Sequence, residues 1–206
     1  GALIGLIILW AIGSYLVIRN LEEPSYTVLE AKDGYEVREY KPYIMATANV
    51  TGNYDEATSQ GFRIIADYIF GNNTKQESIA MTAPVLESPT PDKHEKIAMT
   101  VPVLEKSDEN NERTIAFVLP SKYTLETLPR PNNDAVILVE VPARKVAALR
   151  FTWYATEGRV TAKKTALEEY LNRDGKKVIG SVETARYNPP LSMPFTLRNE
   201  ILIPIE

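Results

Sequence analysis

An α+β fold is what the chain predicts, and three observations carry that reading. Two stretches place apolar residues at helical spacing. Around them lie about eight or nine short runs rich in β-branched and aromatic residues, with turn formers at their ends. The composition, 44% hydrophobic and 24% charged over 206 residues, suits one good-sized globular core. Many strands with few helices make an α+β plan.

In chain order, residues 1–18 come first: "GALIGLIILWAIGSYLVI" carries no charge, and Arg19 closes it. A helix needs roughly 17 to 25 apolar residues to cross the hydrocarbon core, so this run is long enough to span. The competing reading is a cleaved signal peptide, with "AIG" at 11–13 as its small-residue cleavage site. Because "SYLVI" extends the apolar run beyond that site, the expectation is a single-pass transmembrane anchor over residues 1–19. The membrane is then a partner, and the soluble part is expected on the extracytoplasmic side. The side itself is set by flanking charges that this stretch does not supply. Residues 20–25, "NLEEPS", read as a polar linker, and the folded domain is expected over 26–206.

The first helix signal is "YDEATSQGFRIIADYIF" at 54–70. Ala57, Gly61, Ile64, Ile65, Tyr68 and Ile69 fall on one side, Asp55 and Glu56 complement the dipole, and Gly71 stops the run. The second, "EGRVTAKKTALEEYLNRDG" at 157–175, groups Val160, Ala166, Leu167, Tyr170 and Leu171 and ends at Gly175. Strand-like runs occupy 35–40, 43–50, 79–87, 97–105, 114–120, 135–142, 145–153, 181–187 and 200–206.

Two of those runs are near copies, "IAMTAPVLE" from Ile79 and "IAMTVPVLE" from Ile97. With the turn-rich "SPTPDKHEK" between them, they predict a long antiparallel hairpin. Alternation puts Ile79, Met81, Ala83 and Val85 on one face, and the copy repeats this. Proline donates nothing to a ladder, so Pro84 and Pro102 belong at an edge, a bulge or a break in pairing, as at the rim of a barrel. Met81 and Met99 are core fillers or lining for a ligand cavity. A longer repeat relates "VREYKPYIMATANV" and its helix to "VEVPARKVAALRFT" and the later helix. Duplicated halves and plain strand-helix patterning both account for it.

Charge and motifs exclude several functions. The net charge is -4 with basic residues scattered along the chain, so no basic face for phosphate backbones announces itself and no nucleic-acid partner is expected. Cysteine is absent, which removes disulfides, thiolate metal sites and cysteine nucleophiles. One histidine, His94, in the turn-rich stretch cannot supply a serine-histidine-acid set, and neither a phosphate loop nor HExxH occurs.

The stretches "ESIAMTAPV", "FVLPSKYTLETLPRPNNDAV", "VPARKVAALRF" and "ARYNPPLSMPFTLRNEILIPI" resemble the SOUL haem-binding family, in order and spacing, over nearly all of the chain after Tyr26. The resemblance implies a distorted antiparallel β-barrel of two similar halves with two flanking helices. It also implies non-catalytic binding of haem or a related tetrapyrrole, a hydrophobic small molecule, in an apolar groove. By position it points to Phe62, Arg63 and Ala66 on the first helix and to Met193 and Phe195 in the last loop. Arg63, the only cation on its helix, suits a propionate, or else pairs with Asp67 four residues on. Met193 offers a sulfur for iron, or else packs the loop. The chain departs from the family where many members carry tryptophan after the double proline and this one has Leu191. It departs again at Trp153 and Tyr154, where small residues are usual.

A rival reading is a GyrI-like small-molecule-binding or hydrolase domain, by analogy of its paired halves. It needs a carboxylate in an apolar cavity, and Glu140 and Glu200 on strand-like runs are its candidates, with a structural ion pair as the alternative for Glu200.

Overall fold

In a computed structural model the described residues are 10, 13, 16, 21–75, 94–107, 112–188 and 192–206. The chain forms β1 (Tyr26–Ala31), β2 (Glu36–Tyr40), β3 (Tyr43–Thr51), α1 (Tyr54–Ile69), β4 (Asn73–Thr74) and β5 (Val103–Ser107). It continues through β6 (Glu112–Val118), β7 (Arg130–Pro131), β8 (Ile137–Val141), β9 (Arg144–Phe151) and α2 (Glu157–Arg173). β10 (Glu183–Arg186), a 3-10 turn (Pro194–Thr196) and β11 (Asn199–Pro204) complete it. The α+β plan and both helices stand as the sequence predicts.

Nine strands make one curled antiparallel sheet in the order β1-β2-β9-β11-β10-β5-β6-β3-β8, and β4 pairs with β7. The order shows what the long repeat means. One half is β2-β3-α1-β5-β6 and the other β8-β9-α2-β10-β11. β5 lies beside β10 at the centre, and each half gives its first strand to the other: β2 pairs with β9, and β8 with β3. The expected barrel is a half-barrel, because β1 and β8 end the sheet without pairing to one another.

Each helix covers its own half of the outer face. Asn53 caps α1, its Oδ1 accepting from Glu56 N at 3.0 Å, and Gly71 with φ 124° ends the turn after it. Ala57, Ile65, Tyr68 and Ile69 pack on Ala46, Ala48, Ile115 and Phe117 of β3 and β6. Burial of each such isoleucine contributes about 2 kcal/mol. At Gly61 the helix comes so near β6 that an added Cβ would lie 2.4 Å from Ile115 Cγ1. α2 sets Leu167 and Leu171 on Ala147, Leu149, Ile201 and Ile203. Inside the curl a third core joins Tyr40, Leu104, Val118, Val146, Ala185 and Leu202.

Several sequence expectations change. β1 is a strand the sequence reading omitted, and it sits on the sheet edge with Val28 and Leu29 exposed. The hairpin of the two near copies does not form over β5, since β6 and β10 occupy both of its edges. The second copy becomes a strand only at Val103; before that, Ile97 N donates to Ile69 O at the end of α1. Pro102 stands at that break in pairing, as expected, and Met99 is exposed. The first copy, with Met81 and Pro84, lies outside the described residues. So does the anchor of residues 1–19, except for Trp10, Gly13 and Leu16, which are helical. Among the described residues no helix is long and apolar enough to cross a membrane.

The predicted linker is tied down where it is described. Val101 N donates to Glu22 O at 3.0 Å, Ser121 N to Glu22 Oε1 at 2.8 Å, and Lys41 N to Ser25 O at 3.0 Å. Glu23 takes Arg198 Nη1 on both carboxylate oxygens.

Candidate functional site

α1 buries one side and leaves Phe62 half-buried and Arg63 exposed on another. The Phe62 ring leans on Phe117, with centroids 5.1 Å apart, and its other side lines a groove of 550 Å³. That volume falls within the roughly 300–1,000 Å³ of small-molecule sites. Arg63 lines the same groove, as do Val103 at the start of β5, Tyr154 to Thr156 before α2, and Leu197 and Asn199 at the start of β11.

The walls are fastened to one another. Tyr54, the first residue of α1, donates its hydroxyl to Ala155 O at 2.8 Å and accepts from Arg186 Nη2. Asn199 Nδ2 donates to Trp153 O at 2.7 Å, and Arg198 N to Asn188 Oδ1 at 2.7 Å. Beside the groove, Glu105 is 4% exposed between two guanidiniums: its Oε1 is 2.9 Å from Arg113 Nη1 and its Oε2 2.7 Å from Arg186 Nη1. Arg186 is therefore committed. Burial pushes the Tyr54 phenol up, against the pull of Arg186, so the ring is a neutral one at physiological pH.

Arg63 is not committed. Among the described residues it has no ion pair or hydrogen bond, and the alternative partner Asp67 instead accepts from Asn72 Nδ2. The structure thus joins Phe62 and Arg63 in one groove. It does not bring the other three expected residues there. Ala66 is 7% exposed on the core side of α1, and Met193 is buried with its carbonyl accepting from Thr196 N and Oγ1. Phe195 is exposed on the 3-10 turn. His94 stands at the far end of α1, its Nδ1 donating to Asn73 O at 2.7 Å. Tyr54, Val103, Tyr154, Arg186, Asn188 and Leu197 went unassigned in the sequence. Only Tyr154 carried a signal, as an aromatic where small residues are usual.

Of the two carboxylates of the rival reading, Glu200 is placed differently from what it requires and Glu140 lies at the mouth of a cavity. Glu200 is fully buried, but Arg38 Nη1 lies 2.7 Å and Arg198 Nε 3.1 Å from it, and Tyr187 donates to it at 2.8 Å. Burial raises its pKa, yet the guanidiniums and the phenol outweigh burial and hold it below the ordinary value, the reverse of a poised base. Glu140 is exposed on the edge strand β8. A second cavity, of 580 Å³, opens there, and Glu22, Glu23, Glu126 and Glu140 face it with Lys41. Such an acidic mouth repels a ligand that carries carboxylates.

The model of the SOUL haem-binding protein family matches residues 21–96 and 87–204. The chain belongs to that family. Among SOUL relatives, heme-binding protein 1 of Xenopus laevis is 25% identical over 173 residues, covering 82% of this chain and 84% of that protein. Human heme-binding protein 2 is 27% identical over 161 residues, covering 77% and 72%. Solved structures share the fold at lower identity. The EcmrR C-terminal domain superposes with TM-score 0.60 at 10% identity, over 88% of this chain and 98% of that one. A hydrolase from Listeria innocua gives 0.53 at 11%, over 86% and 94%. At those identities the likeness is one of fold alone.

Proposed function

We propose that this domain binds haem or a related tetrapyrrole non-covalently, without catalysis, in the groove beside α1. The observation that carries the reading is Arg63, a cation with no partner among the described residues, at a groove where Tyr54, Phe62, Val103, Tyr154 and Leu197 supply apolar and aromatic surface beside polar residues such as Asp55, Thr58 and Asn188. A porphyrin is a flat apolar disc with two carboxylates, and those residues fit it: Phe62, Val103 and Leu197 offer surface to the ring and Arg63 a charge-assisted bond to a propionate. Bound haem would supply an iron; no histidine or methionine is among the described lining residues, and the residues of a ligating type there are Tyr54, already held by Ala155 and Arg186, and Tyr154, so affinity rests chiefly on ring contact and the ion pair. Family membership and the names of the relatives support the same ligand class. Titrating the protein with haemin tests the reading: a saturable shift of the Soret band supports it, and linear, unsaturable uptake contradicts it.

We also read residues 1–19 as a single-pass anchor, with the domain on the extracytoplasmic side. The length of the charge-free run supports the anchor. Alkaline carbonate extraction is expected to leave the chain in the membrane pellet, and protease added outside intact cells is expected to reach the domain. Release into the supernatant contradicts the anchor, and protection contradicts the side.

A further inference from the structure

The connection between β9 and α2 forms one wall of the groove, and there the backbone is strained. Trp153 holds φ at 71°, in the left-handed region, where a bulky side chain crowds its own backbone. Strain of this kind persists only where surrounding contacts over-determine it, and it gathers at functional sites. Four hydrogen bonds do so here. Trp153 N donates to Pro194 O at 3.1 Å, Asn199 Nδ2 to Trp153 O at 2.7 Å, Arg159 Nη1 to Tyr154 O at 3.0 Å, and Tyr54 OH to Ala155 O at 2.8 Å. Asn199 is itself 5% exposed, and the bond to Trp153 is what satisfies its buried amide.

Three successive residues are thus fixed by their backbones, while the side chains of Trp153 and Tyr154 remain 50% and 51% exposed. The Tyr154 ring lines the groove, and among the described residues its hydroxyl has no hydrogen-bond partner. A single exposed aromatic is ordinary. One whose backbone is held at a cavity wall is different, because the ordering cost of that backbone is met on folding and not on binding, which is part of how aromatic anchors gain affinity.

We propose that Tyr154 is a stacking wall of the groove: an aromatic face on a fixed backbone that, together with Phe62 from α1, selects flat conjugated macrocycles over open-chain, bent tetrapyrroles. The proposal deepens the ligand assignment above and rests on it.

The test uses the whole chain carrying Trp10→Phe, so that Trp153 is the sole tryptophan reporter. Haemin, metal-free protoporphyrin IX and the open-chain biliverdin are titrated into this protein and into Tyr154→Ala and Tyr154→Phe versions of it. Stacking predicts that Tyr154→Ala weakens both flat ligands about fivefold or more, that Tyr154→Phe keeps their affinity, and that biliverdin changes less than twofold. An unchanged denaturation midpoint in Tyr154→Ala assigns the loss to the missing ring. If the parent binds the flat ligands and Tyr154→Ala binds them equally well, or loses all three ligands alike, the stacking wall is overturned while the tetrapyrrole reading stands. If the parent binds none of the three, that reading falls, and the wall falls with it.

Discussion

Arg38 and Glu200 are 162 residues apart in sequence, yet Arg38 Nη1 donates to Glu200 Oε2 across 2.7 Å in the buried interior. The two are 3% and 0% exposed. The bond joins β2, from one half of the molecule, to β11, from the other. It also extends outward: Arg198 bonds Glu200 and reaches Glu23 of the N-terminal segment.

Glu200→Gln leaves two guanidiniums without their shared counter-charge. Removing one partner of a buried pair costs about 3 to 5 kcal/mol; Arg38 keeps Glu36 and Arg198 keeps Glu23, so the loss should fall at the lower end of that range and the variant should unfold at lower denaturant. Urea melts followed by tryptophan fluorescence measure this. A loss under 1 kcal/mol, on the order of a surface pair, would show that the network contributes little.

The same carboxylate makes an acid prediction. Its folded pKa is depressed, so its stabilisation is complete above the ordinary value of 4.5 and drains away as pH falls through the lower folded value. In that window the unfolded chain binds the extra proton, and stability should rise with pH. Melts from pH 2 to 5 should therefore show a steeper slope for the parent than for Glu200→Gln.

Gly61→Ala puts a Cβ 2.4 Å from Ile115 Cγ1 and 2.7 Å from Ile115 Cβ. Helix propensity favours alanine by about 1 kcal/mol, but overpacking costs about 1 to 3 kcal/mol and should win. Calorimetry is expected to show a lower Tm. Because the next two residues are Phe62 and Arg63, the displaced helix should also weaken haemin binding.

The sequence made the helices legible for a local reason: a 3.6-residue pattern is read within one stretch, and Ala57, Gly61, Ile65, Tyr68 and Ile69 are all buried where it placed them. The halves were visible as a faint repeat, but the exchange of β2 and β8 between them was not, since partner choice is a long-range decision. The near-copy phrase misled for the same reason. Alternation states which face a residue takes and leaves its neighbour open, and β5 pairs with β6 and β10. At the groove, resemblance located Phe62 and Arg63. Tyr54, Val103 and Leu197 come from three separate elements that only the folded sheet assembles.

The segment 21–25, part of the stretch 20–25 read from sequence as a linker, is hydrogen-bonded to the domain. The protein lacking residues 1–20 is the reference against which the segment is measured. Removing 1–25 deletes three hydrogen bonds and the Glu23 to Arg198 pair, and should cost about 2 to 4 kcal/mol. Equal stability of the two truncated proteins would return the segment to linker status.

Haemin titration of the Trp10→Phe protein beside its Arg63→Ala and Arg63→Glu versions tests the central claim most directly. Saturable quenching of Trp153 is expected in the parent. Arg63→Ala should weaken it by about 1 kcal/mol, roughly fivefold, because the ion pair is exposed and screened, and Arg63→Glu should weaken it further. Identical isotherms for all three proteins, or no saturation in the parent, would contradict a tetrapyrrole groove at α1.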